Sequence, residues 1–321
     1  MPKVVIVGGG WAGSAAALAA KKAGADVILL ERTDMLLGTG LVGGIMRNNG
    51  RFTATEEMIA MGGGELFNVT DTVARHRNID FPGHKHASLY DVAKVEPAVK
   101  NLLLNHGVEI HTQSRVKDVK ADNNKIQAVI TDSNEIFEGD VFVEATGTAG
   151  PQSNCTKYGN GCAMCIYRCP SYGPRISIAN KMGIEEMIAK KADGSYGAMS
   201  GSCKLHKESL SDDIVSRLNS SGVVVVTVPD EVKEGADILN KKACQQYALK
   251  EFIENVILLD TGHAKLMTPF FPLNNLRKIP GFENARYEDP YAGNIGNSMR
   301  YLAISPRDNH LKTIGVENLF C

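Results

Sequence analysis

The stretch VVIVGGGWAGSAAALAAKKAGADVILLE, residues 4 to 31, constrains the fold more than any other part of the chain. Residues 4 to 7 are a short apolar run suited to a buried parallel strand, and they lead directly into Gly8, Gly10 and Gly13 in the order G-x-G-x-x-G. Ser14 and the alanines behind it open a small-residue helix, and a second apolar run, residues 27 to 30, closes on Glu31. Each residue type has a mechanical task. Gly8 permits the tight turn, Gly10 lets backbone approach a pyrophosphate, and Gly13 lets helix and strand pack closely. The helix N-terminus offers free N–H groups and a positive dipole end to phosphate. A carboxylate at the end of the second strand can accept hydrogen bonds from a ribose diol. An ordinary glycine turn would need no acid there, so the segment predicts a dinucleotide-binding βαβ unit.

The chain has 321 residues, enough for one large domain or two modest ones. It is 43% hydrophobic and 22% charged, with 35 basic and 36 acidic residues and a net charge of −1. That balance advertises neither a nucleic-acid nor a membrane surface, so nucleic acid is not an expected partner. There is no apolar run of membrane-spanning length, and the glycine-broken N-terminus reads as a fold element rather than a signal peptide. A cytoplasmic protein is expected. In that setting seven cysteines suggest metal or redox chemistry rather than a disulfide framework.

Along the chain, a glycine-rich stretch covers 38 to 52, followed by helical patterns at about 54 to 66 and 88 to 105. Pro97 falls inside the second and is expected to kink or split it. A short strand is expected at 108 to 111. Residues 116 to 121 and 126 to 131 form a hairpin pattern around Asp122-Asn123-Asn124. Residues 136 to 143 complete the set and lead into Glu144-Ala145-Thr146-Gly147. From 150 the composition shifts to Gly, Pro, Cys and Asn. Helices are expected at 183 to 191, 207 to 219 and within 231 to 255, a buried strand at 223 to 228, and extended chain at 300 to 304 and 314 to 321. The fold class expected is α/β. A Rossmann-like domain (parallel sheet with a β-meander) spans 1 to 150, an inserted α+β second domain carrying the cysteines and the substrate site spans 151 to 290, and 291 to 321 return to the first.

Three features place FAD rather than NAD on the fingerprint: it occurs once at the extreme N-terminus, a glycine-rich insertion follows the second strand, and a hairpin array ends in VFVEATG. Together they resemble the flavoproteins with two dinucleotide-binding folds. The segments LLGTGLVGGIMRNNG and IPGFENARY are similar to the branch that contains the folate- and flavin-dependent tRNA uracil methyltransferases and the glucose-inhibited division protein A family. HASLYDVAKVEPAVKNLLLNHGVEI also resembles heterodisulfide-reductase-like FAD-dependent oxidoreductases. The resemblance covers 1 to 150 and 290 to 321. It implies that Gly38, Thr39, Gly43, Gly44, Val116, Thr146 and Gly147 contact FAD, joining Gly8, Gly10, Gly13, Glu31 and the adjacent Arg32. The tRNA methyltransferases carry a functional cysteine in the early glycine-rich loop, and residues 38 to 52 contain none. In the resembling families the strand matching IGVENLFC continues into an acidic turn and a helix. The chain is therefore expected to be truncated at Cys321 and to hold FAD weakly.

A second constellation, CTKYGNGCAMCIYRCP, places Cys155, Cys162, Cys165 and Cys169 within fifteen residues at spacing C-x6-C-x2-C-x3-C-P. Four thiolates on a glycine-bearing loop suit a 4Fe–4S cluster. They also suit structural zinc, or a redox-active pair at Cys162 and Cys165 exchanging with the flavin. The leading expectation is a cytoplasmic FAD-dependent oxidoreductase, acting on a small molecule or a redox partner protein, with an iron–sulfur cluster passing electrons to or from the flavin. The alternatives are a flavin-dependent tRNA-modifying enzyme and a non-catalytic zinc-stabilised nucleotide-binding module. No catalytic acid or base is evident. Cys203 and Cys244 are secondary redox candidates. His84 and His86 suit a polar loop better than a metal site, and Arg47, Asn48 and Asn49 suit substrate binding or turn capping. Trp11, the sole tryptophan, is placed to shield a pyrophosphate.

Overall fold

Residues 3 to 7 are apolar after the first and find strands on both sides, as a run without alternation requires. In the computed structural model, strand β1 (Lys3–Val7) sits in the middle of a five-stranded parallel sheet. Its neighbours are β2 (Asp26–Leu30) on one side and Val141–Glu144 on the other. Glu109–His111 and Leu319–Phe320 form the edges. The structure describes residues 1–147, 172–173, 175–188, 198–199, 203–233, 250–267, 271, 273–288, 299–300 and 303–321.

Helix α1 (Trp11–Lys22) connects β1 to β2 and packs on both through its small side chains. The meander Val116–Asp122, Lys125–Thr131 and Ile136–Glu138 is antiparallel, with its first turn at Asn123 and Asn124. Val116, Ile126, Val129 and Phe137 share one apolar cluster with Val5, Val7, Ile28, Leu30 and Phe142, so the meander covers one face of the parallel sheet. The expected α/β architecture is therefore present.

Backbone contacts gather the chain into two compact units. The first comprises Met1–Gly40, Glu96–Gly197 and Arg300–Cys321, and the second Leu41–Val95 and Ala198–Met299. The second unit holds a three-stranded antiparallel sheet in the order Ile45–Met46, His84–Tyr90, Ala74–Phe81. It also holds a four-stranded antiparallel sheet in the order Cys203–Leu205, Ala264–Leu266, Asn255–Asp260, Val223–Thr227. Helix Asp212–Ser221 packs against the latter. It starts at Ser211, whose hydroxyl accepts from the Ile214 N–H, and stops at Gly222 in the left-handed conformation, a good match to the chemistry of helix ends.

Elements that differ from expectation include the helical pattern at 54 to 66, which divides into the helices Gly50–Ala60 and Glu65–Thr72. Ser88 lies in a strand, and the helix expected from 88 starts only at Val95. Pro97 is then in the first turn, where an N–H would lack an intrahelical partner anyway, so it causes no break. Residues 183 to 191 are not helical where described: a short helix, Ile178–Lys181, ends before Gly183, and Met187–Ile188 pairs with Ala303–Ile304. The hairpin Ala74–Phe81/His84–Tyr90 replaces an expected polar loop. Its register shifts three times, which blurs the period-2 signal.

One ionic knot pins the second unit. Asp260, fully buried, accepts from Arg75 Nε (2.8 Å), Lys207 Nζ (2.5 Å) and Gly262 N (3.2 Å), and its other oxygen meets His76 Nε2 at 2.9 Å. Burial pushes the Asp260 carboxyl up, but the hydrogen bonds from Lys207, His76 and Arg75 outweigh it and hold the group below its usual 3.8. The resulting stabilisation is fully present above the unfolded-state value and disappears as pH falls through the lower folded value. Asp260→Asn is expected to cost about 3–5 kcal/mol near neutrality, because it strands buried cations. Melting of wild type and variant, followed from pH 7 down to about pH 2.5, should show the gap closing only below about pH 4.

Candidate nucleotide-binding site

The first unit has a cavity of about 280 Å³ over the C-terminal ends of β1 and β2. Its floor is Val7 and Leu30, and the glycine turn and the start of α1 form one wall. Gly8 leaves β1 with φ +107°, a conformation that favours glycine, while its N–H donates to Leu30 O at 2.8 Å. A Cβ on Gly8 would stand 2.2 Å from Ala145 O, and one on Gly13 would stand 1.8 Å from Gly8 O. These two glycines are packing requirements. Gly10 differs: a Cβ there would meet nothing within 4 Å, so this glycine faces open space beside the cavity. It is also the N-cap of α1 and provides no side-chain acceptor, and the first turn carries no acid. The positive end of α1 thus faces the cavity, where an anion would bind.

Glu31 is buried where β2 ends. One carboxylate oxygen accepts from Gly9 N at 2.8 Å, the other from Thr33 N at 2.9 Å and Thr33 Oγ1 at 3.0 Å. These three bonds fix the carboxylate's orientation and leave about one of its roughly four acceptor positions for a ribose hydroxyl. The donor set and the open face at Gly10 fit the ADP half of a dinucleotide.

Most of the predicted contacts converge here. Gly8, Gly10, Glu31, Arg32, Gly38, Thr39, Val116, Thr146 and Gly147 line the cavity, with Trp11. Gly13 is not among the lining residues and packs against the Gly8 carbonyl instead. Gly43 and Gly44 belong to the second unit and are not among the lining residues. There, a Cβ on Gly44 would stand 2.3 Å from Thr261 Cγ2. Trp11 packs on the turn at Gly40, where a Cβ would come within 2.5 Å of its indole nitrogen.

The site also contains a residue that the sequence does not single out. Arg175 lines the cavity, with its side chain only 4% exposed. It donates twice to Glu186, at 2.6 and 2.9 Å, once to Glu144 at 3.2 Å, and through Nε to Thr146 Oγ1 at 2.9 Å. Burial pushes the guanidinium down, but the bonds and charges of Glu186 and Glu144 raise it above its usual value, so it stays charged. Thr146 Oγ1 donates to Glu144, whose other oxygen accepts from Ala179 N at 2.8 Å. The turn that ends Val141–Glu144, the fourth strand of the parallel sheet in chain order, is thereby fixed to the segment at 175 to 179. No local pattern announces this, since Glu144, Arg175 and Glu186 lie in three separate stretches.

Cys155, Cys162, Cys165, Cys169 and Cys244 lie outside the described residues, as does the Cys203 side chain. Among the described residues no three of His, Cys, Asp and Glu gather as a metal site. His84 is buried against Phe81 with its rings 4.3 Å apart, and His86 is exposed and bonded to Asn78. Arg47 pairs with Glu56 and Asp71. Asn49 ties to Lys85 N and Gly83 O, which is the turn-capping role. No helix among the described residues is long and apolar enough to cross a membrane.

The family model described as "Glucose inhibited division protein A" matches residues 3–267. The chain belongs to that family. Two crystal structures of Aquifex aeolicus GidA share its fold. Form II superposes with a TM-score of 0.64 at 15% identity, covering 99% of this chain and 58% of that one. Form I gives 0.61 at 16%, covering 99% and 61%. The chain thus spans about three-fifths of the length of these relatives. The family is one of flavoproteins, as the resemblance implied, and it supports FAD. It lends no support to an iron–sulfur cluster or to zinc.

The glycine geometry separates two kinds of variant. Gly13→Ala should lower the melting temperature markedly, because its methyl group meets a backbone oxygen that cannot move alone. Gly10→Ala should melt close to wild type yet bind FAD at least tenfold more weakly in a titration. Arg175→Ala, which strands two buried carboxylates, should lose about 3–5 kcal/mol in urea unfolding.

Proposed function

We propose that this chain is the nucleotide-binding part of a flavin-dependent enzyme that modifies RNA, with the ADP half of FAD in the cavity of the first unit. The observation that carries the reading is the combination of Gly8, Gly10 and Glu31 around one cavity, with Gly13 packed against Gly8, in a chain of this family. Gly10 and the uncapped start of α1 would receive the pyrophosphate, Glu31 the ribose, and Val116 and Arg32 would stand near the adenine end. Thr146 and Gly147, held by Arg175, would border the ribityl side. When bound, the flavin supplies hydride chemistry, and the protein's part is to bind, orient and exclude water.

This reading promotes the tRNA-modifying alternative over the electron-transfer oxidoreductase and reverses the expectation that nucleic acid is not a partner. The reason is physical as well as familial. A net charge of −1 is a sum over the molecule, whereas phosphate binding depends on where the cations lie. The missing cysteine in residues 38 to 52 still separates this chain from the methyltransferases it resembles. The reaction is therefore proposed at the level of flavin-dependent RNA modification. A second reading, iron–sulfur electron transfer, rests on the spacing of Cys155, Cys162, Cys165 and Cys169 alone. Iron and acid-labile sulfide in anaerobically purified protein would support it, and their absence would remove it.

The single tryptophan lining the cavity is a built-in probe. Adding FAD should quench Trp11 emission saturably, NAD should compete poorly, and Trp11→Phe should abolish the signal without abolishing binding measured by calorimetry. Binding of unmodified tRNA should weaken steeply with salt, with a log–log slope of several negative units. Tight FAD binding with no tRNA binding even at low salt would return the oxidoreductase reading to first place.

A further inference from the structure

The four-stranded sheet of the second unit is closed at one edge and open at the other. At the Cys203–Leu205 edge, Tyr287 bridges Leu205 in antiparallel fashion, Glu288 N donates to Lys204 O at 2.9 Å, and His206 N donates to Arg286 O at 3.1 Å. The opposite edge is the strand Val223–Thr227, with the sequence VVVVT. In an antiparallel pair, residues alternately bond to the partner strand and turn their backbone groups away from it. Asp260 N donates to Gly222 O at 2.9 Å and Val228 N to Glu254 O at 2.8 Å, in step with the pairing of Val224 with Leu258 and Val226 with Val256. Val223, Val225 and Thr227 therefore turn their N–H and C=O groups outward. Ser221 Oγ donates to Val223 O, and these groups have no backbone partner among the described residues.

Native edges are normally blunted by a charge, a proline or a bulge. Within 223 to 227 there is none: the register with Asn255–Asp260 is unbroken, the residues are neutral, and Val225 is 38% exposed. The strand is also compatible with itself. Turned about a two-fold axis through Val225, it places Val225 opposite Val225, Val224 opposite Val226 and Val223 opposite Thr227. Each outward N–H then meets an outward C=O, and no charge opposes a like charge.

The two ends of the strand differ in charge. The His76 ring packs so closely on Gly222 that a Cβ there would stand 2.6 Å from its Cγ. Arg75, His76 and Lys207 converge beside it on Asp260, with Arg75 also reaching Asp91. Exposed Arg77, next in the chain, donates to a backbone carbonyl instead of an acid. Beyond Val228, Asp230, Glu231 and Glu254 outnumber their partners Lys233 and Lys250. The two-fold axis brings the basic end of one strand to the acidic end of the other.

We propose that this edge is a self-association surface and that its occupant is a second copy of the chain, paired antiparallel through Val223–Thr227. The self-matching register and the opposite charge of the two ends select a second copy over an unrelated strand. The two-fold closes the assembly at two copies, because each open edge is consumed by the other. The inference does not rest on flavin binding or on RNA.

The test uses the chain as it is. Sedimentation velocity over a range of concentrations should show a monomer–dimer equilibrium. Val225→Lys opposes two ammonium groups at the centre of the pair and should weaken dimerisation on the order of a hundredfold, with the circular dichroism spectrum unchanged. In Val225→Cys, mild oxidation should link two chains through the introduced thiols, located by peptide mass mapping, since facing α-carbons in a bonded pair stand about 5.5 Å apart. An unaltered chain that stays monomeric throughout would leave the edge to another protein's strand and overturn the proposal. So would a dimer whose Val225→Cys form gives no such link.

Discussion

The close approach of α1 to the end of β1 is the contact on which the first unit depends. Gly13 stands so near the Gly8 carbonyl that a single methyl group would overlap it. This proximity sets the helix axis against the sheet and brings the helix's opening N–H groups to the strand ends. The same geometry leaves Gly10 facing space rather than protein. One constraint on helix–strand distance thus shapes both the packing and the cavity. Glu31, fixed by Gly9 and Thr33, positions an acceptor at the far side of that opening.

Two buried ionic groups tie distant parts of each unit together. Arg175 joins the turn at Glu144 and Thr146 to Glu186 in the first unit. Asp260 gathers Arg75, His76 and Lys207 in the second. Charges so deeply placed are tolerated because every one has opposite-sign partners, and removing one partner leaves the rest uncompensated. Such groups specify one arrangement more than they add net stability. They hold segments, namely the turn after the fourth parallel strand and the β-hairpin at 74 to 90, whose local sequences would not place them.

The nucleotide cavity was largely legible because its signals are local and periodic. The glycine triplet, the apolar strands and the terminal acid lie within 28 residues, and the Asn123–Asn124 turn marks the meander. Legibility failed where signals were irregular or shared. Residues 88 to 105 have apolar positions that suit one helix, yet the first three complete a strand. Pro97 proved harmless because its position in the helix, not its presence, decides its effect. The triplets Lys204-Leu205-His206, His263-Ala264-Lys265 and Arg286-Tyr287-Glu288 each carry a polar–apolar–polar pattern. Such short patterns are too common to single out before pairing places them side by side.

The sequence by itself determined the βαβ unit, the parallel sheet it belongs to and the chemistry of its turn, because neighbours in the chain make those contacts. It also carried the family resemblance that points to flavin. Only the tertiary structure decided which side chains meet across long separations: Arg175 with Glu144 and Glu186, and Asp260 with Arg75, His76 and Lys207. Register and strand order make those meetings, and both depend on how whole faces are buried rather than on the residues that come to touch.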